Sequence, residues 1–271
     1  MSCLKLDYGT LISPTPFNIN VCSVKSPTLR EISDLIAKFK TYNEYLTIIL
    51  TDIKFYYKII ENQEFDYFSR YTEDEKKLIL KIKKEYEGLS EEERLKVKPL
   101  DIFHFDKYFI DELHQALSFF ICEKILYSFD DRAFLVYSGE DVTGLIDSRS
   151  YSDVVDIILQ MNWIHKDILK EDKVKAKNKK ALEILEKLNK AKTVNKKADE
   201  RLELPNIISS ISAYHNSINM LNIWNLTVYQ TYDLFERMQS NTVFDIKSTA
   251  IAFGAKDEKF NAGQWFDCIK R

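Results

Sequence analysis

Residues 27–50 read PTLREISDLIAKFKTYNEYLTIIL. Pro27 suits the first turn of a helix, and Thr28 stands three residues before Glu31 as a capping box. Leu29, Ile32, Ile36, Phe39, Asn43, Leu46 and Leu50 then step by 3, 4, 3, 4, 3 and 4, the spacing of one helix face. One continuous core helix is expected, with Asn43 as its polar interruption. The other reading is a seam for a partner helix, in which a lone buried Asn fixes the register.

The same period recurs along the chain. It predicts helices over Ile53–Glu61, 73–87, about 105–127, 152–163, 207–214 and from Trp224 to near Asn241. The helix over 105–127 places Phe109, Leu113, Ala116, Phe120 and Lys124 on one face. Residues 133–138 and 142–146 read as a short hairpin, with Gly139 between the arms and Gly144 in the second. Gly9, Pro14, Pro16 and the alternation of residues 17–21 make the first 25 residues turns and an extended segment. Residues 245–253 read as a short strand or extended piece, and 264–269 as a terminal turn. The expected fold is a mainly α, multi-helix globular protein with a small β-hairpin or extended element.

Composition changes abruptly at Lys166. Residues 166–201 carry 13 Lys/Arg against 7 Asp/Glu and no aromatic, leaving −9 on the remainder of a chain whose net charge is −3. A thin apolar stripe of Val174, Ala181, Leu185 and Leu188 marks a solvated helix or arm. Three parts follow: an N-terminal helical domain over 1–165, a Lys-rich helix or linker over 166–203, and a C-terminal helical domain over 204–271.

These features exclude much chemistry. Six glycines in 271 residues, about 2% against a usual ~7%, leave no Gly-rich phosphate cradle, and neither nucleotide-binding glycine motif is present. The four cysteines, Cys3, Cys22, Cys122 and Cys268, are scattered, with no C-x-x-C and no favoured pairing. His104, His114, His165 and His215 make no metal-binding spacing. His114 reads as a helix-surface residue beside Glu112, and Asp130-Asp131 as the start of the turn before the hairpin. No nucleophile motif is present. The start MSCLKLDYGT lacks a signal peptide's basic and apolar regions, and no apolar run approaches 18 residues. A cytosolic protein with reduced thiols, no catalysis and no cofactor or metal is expected. The Lys-rich segment has charge for phosphates but no stacking aromatics, which disfavours nucleic acid as a partner.

Two stretches carry a resemblance: LDYGTLISPTPFNINVCSVKSPTLREISDL over 6–35 and LPNIISSISAYHNSINMLNIWNLTVYQTYDLFERMQSN over 204–241. The run IWNLTVYQTYDLF, 223–235, is its most specific part. With the Tyr/Phe-rich helices between, the chain resembles tail assembly chaperone-like proteins of tailed bacteriophages and prophages of Gram-positive, especially clostridial, bacteria. The resemblance implies a non-enzymatic protein of the bacterial host cytoplasm. It would bind the tape measure protein, assist assembly of the tail tube protein around it, and leave before the virion is complete. Self-association is a further implied possibility.

A tape measure helix exposes apolar stripes, and a groove of large side chains takes such a face by anchors at i, i+3, i+4 and i+7. Trp224, Tyr229, Tyr232 and Phe235 are the candidate partner-binding residues, with ordinary core packing as the alternative. Tyr229 and Phe235 lie 240° apart around a helix, so the four cannot share a narrow face. Two rival functions remain at this level: a structural component of the tail or head–tail connector, and a nucleic-acid-binding accessory protein using 166–201.

Overall fold

The computed structural model describes residues 4–61, 67–164, 203–254, 260–261 and 263. The Lys-rich segment up to residue 202, Cys3, His165, Cys268 and the expected terminal turn lie outside them. Among the described residues the chain forms eleven α-helices and two small antiparallel sheets, a mainly α protein with a minor β part. In order these are α1 (Tyr8–Ile12), β1 (Phe17–Asn18), β2 (Ser23–Val24), α2 (Leu29–Ser33), α3 (Phe39–Leu50) and α4 (Ile53–Glu61). A 3-10 turn (Tyr67–Arg70) then precedes α5 (Glu73–Gly88), α6 (Glu91–Arg94), α7 (Pro99–Phe103) and α8 (Lys107–Phe120). Next come β3 (Lys124–Ser128), β4 (Ala133–Ser138), β5 (Asp141–Ile146) and α9 (Tyr151–Met161). The C-terminal part holds α10 (Leu204–Tyr214), a 3-10 turn (Ile223–Asn225) and α11 (Val228–Ala252).

The chain divides into two compact units. The first comprises residues 1–10, 15–25 and 40–160, the second 11–14, 26–39 and 161–271. Residues 11–14 and 26–39 thus cluster with residues 161–271.

In the first unit α8 is the central element. Asp106 caps it, and Phe109, Ile110, Leu113, Ala116, Leu117 and Phe120 are all buried. It packs on the meander β3–β4–β5, whose inward residues Ile125, Phe134, Val136 and Ile146 are buried. The hairpin β1–β2 is continued by an antiparallel bridge from Val24 to Ile121.

Four expectations fail for identifiable reasons. The helix expected from Leu29 to Leu50 is broken after Ser33, because Ala37 and Lys38 take left-handed backbone angles, φ 59° and 50°. This resets the phase. Tyr42, Leu46 and Ile49 form the buried face of α3, Ile36 is 91% exposed, and Asn43 is on the surface. The helix expected to reach Tyr127 stops at Phe120: Ile121 is extended, and residues 124–128 pair with β4, so Lys124 is a strand residue. Residues 245–252 are helix, not strand, and Phe253 is the C-cap. No glycine or proline intervenes between Val228 and Ala252, and Gly254, with φ 95°, follows the cap where a left-handed residue suits a helix end. His114 is likewise not simply a surface residue: its ring is half-buried, stacked parallel to Phe134, with Nε2 2.8 Å from the Ile125 carbonyl.

Candidate partner-binding region

Two similar pieces of sequence meet in the second unit. Thr28-Leu-Arg-Glu31 and Thr227-Val-Tyr-Gln230 each follow the capping-box pattern, in which residue and helix start satisfy one another's N–H groups. Thr28 Oγ1 accepts from Glu31 N at 3.2 Å while Glu31 Oε2 accepts from Thr28 N at 2.7 Å. Thr227 and Gln230 repeat this at 3.2 and 3.0 Å.

The two boxes are stitched to each other by an antiparallel bridge between Thr28 and Thr227. Leu29 N donates to Leu226 O and Val228 N to Pro27 O, each at 2.9 Å. Tyr229 N donates to Ser26 Oγ, Arg30 to Asn225 Oδ1, and Gln230 Nε2 to Ile12 O. The N–H groups that a helix start leaves unpaired are therefore used to join segments 199 residues apart in the chain. Within the two stretches singled out separately in the sequence, residues 26–31 and 225–230 form one structural feature here.

The four candidate aromatics divide. Trp224 lies in the 3-10 turn before the Thr227 cap, off the helix, half-buried, with Nε1 donating to Met220 O at 2.9 Å. Tyr229 is fully buried, and Phe235 nearly so. Tyr232 is half-buried. Trp163 brings Tyr229 and Tyr232 together: its ring meets Tyr229 edge-on at 4.7 Å and lies parallel to Tyr232 at 6.1 Å. Periodicity could not have found Trp163, because a contact between residues 163 and 229 has no local sequence signal. The first turns of α11 are thus packed inward.

The exposed apolar side chains lie farther along α11. Val243, Ile246 and Phe253 are 50%, 65% and 88% exposed, and Ala250 is exposed between them. Their spacing of 3, 4 and 3 confines them to about 80° of the helix. Phe244, on the adjoining face, is stacked on Phe260 at 5.5 Å. Helical periodicity carried this stripe all along; it was missed because the β-branched residues at 243, 246, 249 and 251 suggest a strand.

Among the described residues no group of His, Cys, Asp or Glu could hold a metal ion, and no helix is long and apolar enough to cross a membrane. The surface is suited to burying another apolar helix face.

Residues 194–270, which contain α10, α11 and all four candidate aromatics, match the family model described as YomV second domain. That family is phage-associated, and a phage protein is what the match supports. No curated protein and no solved structure matches the chain.

Proposed function

We propose that this chain is a phage tail assembly chaperone, acting without catalysis in the bacterial host cytoplasm. It binds the tape measure protein, keeps its apolar helical stripes from aggregating, and assists the tail tube protein to assemble around it. The observation that carries this reading is the exposed stripe Val243–Ile246–Ala250–Phe253 on a helix whose first turns are anchored in the second unit. Side chains repeating by 3 and 4 residues are what one helix needs to pack along another. A short stripe, with an alanine among its four residues, also suits an association that must later be released, since affinity follows anchor quality more than area. The phage association of residues 194–270 and the resemblance to tail assembly chaperone-like proteins point the same way.

The test is co-expression with the long helical tail protein, followed by capture and measurement of that protein's solubility. Wild-type chain keeps it soluble and co-purifies with it; Ile246→Asp, a charge in the middle of the stripe, loses the complex at least tenfold. Equal capture by both chains would remove the stripe from the reading, and no capture by either would remove the chaperone.

A further inference from the structure

We infer that residues 67–94, the 3-10 turn with α5 and α6, form a hinged strap that opens as a unit from the rest of the first unit, with Asp106 as its latch. From Tyr67 to Arg94 a single residue, Ile79, is buried. A helix as long as α5 ordinarily gains its place by burying an apolar stripe, and this one has almost none.

Polar bonds hold it, beside ring contacts of Tyr67 with Tyr56, Tyr71 with Tyr108 and Tyr86 with Tyr57. Tyr67 and Tyr71 donate their hydroxyl protons to Asp106 Oδ2 and Oδ1 at 2.6 and 2.7 Å, beside a 2.7 Å bond from Tyr56 of α4 and a 3.0 Å bond from Phe109 N. Four donors on two oxygens suit a carboxylate, which only accepts. Burial pushes the three tyrosine hydroxyls well above their usual range, so they remain donors. Arg70–Glu112, Lys107–Glu75 and Lys83–Glu61 add ion pairs across the same boundary.

Beneath the strap, Tyr56, Tyr57, Ile102 and Phe105 on one side face Ile79 and Ile82 of α5 on the other with no space for a water between them. Tyr57, on the α4 side of this contact, is 6% exposed, and its hydroxyl finds no hydrogen-bond partner among the described residues. Opening hydrates that hydroxyl and bares an aromatic surface, at the expense of bonds that Asp106 and the ion pairs supply. A single buried residue beneath a polar clasp is the composition of a locally opening unit.

Hydrogen exchange by mass spectrometry on the full chain tests this. Amides of α5 should exchange as one block, about 100-fold faster than those of α8 or α9. Tyr71→Phe, which keeps the ring and removes one clasp bond, should speed that block on the order of tenfold and leave α8 unchanged. Asp106→Asn retains a good helix cap but presents a donor to the tyrosines, so the α5 block should accelerate further. Raising salt to 1 M should accelerate the same block by weakening the ion pairs. Exchange of α5 at the α8 rate, or equal acceleration of α5, α8 and α9 by Tyr71→Phe, would overturn the inference, and that variant decides the matter even if Asp106→Asn fails to fold.

Discussion

At the scale of single residues, the tightest constraint is at Gly144 in β5. A Cβ there would stand 2.0 Å from the Val21 carbonyl oxygen, where backbone rather than a flexible side chain is the obstacle. Gly144→Ala should therefore lower stability by about 1–3 kcal/mol, read as a fall in the urea midpoint. Ala37 gives the opposite case. Its φ of 59° on an exposed site strains an L side chain, and Ala37→Gly should raise stability by about 1 kcal/mol. His104 supplies a pH dependence. Burial, and then the positive charge of Arg132, hold its imidazole below the ordinary value, while its Nδ1 lies 3.1 Å from the Tyr127 hydroxyl. A depressed histidine contributes stability at pH values above its unfolded pKa of ~6.5, and that contribution is lost as pH falls through the lower folded value. Melting temperature should fall between pH 7 and pH 5, and His104→Gln should flatten that slope. None of these three environments is legible in the sequence, because each depends on a neighbour far away in the chain or on a backbone angle.

At the scale of elements, local signals were reliable and their continuation was not. The Thr28 box, the helix Ile53–Glu61 and the hairpin around Gly139 are where residue chemistry places them. The stripe 29–50 failed because apolar spacing does not register two left-handed residues that shift the phase. Residues 121–128 failed because strand pairing with β4 outweighs a helical pattern that Lys124 only weakly supports. The paired caps give a direct test. Thr227→Ala should cost about 1 kcal/mol by thermal unfolding, as should Thr28→Ala. Because the two boxes are bonded to each other, the double variant should depart from the sum of the single ones, which distant and independent sites would not do.

At the scale of the whole molecule, the four aromatics singled out in the sequence and the exposed stripe occupy different parts of the same C-terminal stretch. Tyr229 and Phe235 are large and aromatic because they fill a core, and burial cannot be told from docking by residue type alone. The open stripe begins two turns later. Ile246→Asp should leave thermal stability within about 0.5 kcal/mol, as an exposed site does, while abolishing partner capture. That separation of folding from binding is what a docking surface requires. The most direct measurement is quantitative mass spectrometry of this chain in assembling lysates and in purified particles. A chaperone is bound to the tape measure protein in the lysate and absent from finished virions. A fixed number of copies in every particle would contradict a transient role and make the chain a component of the tail.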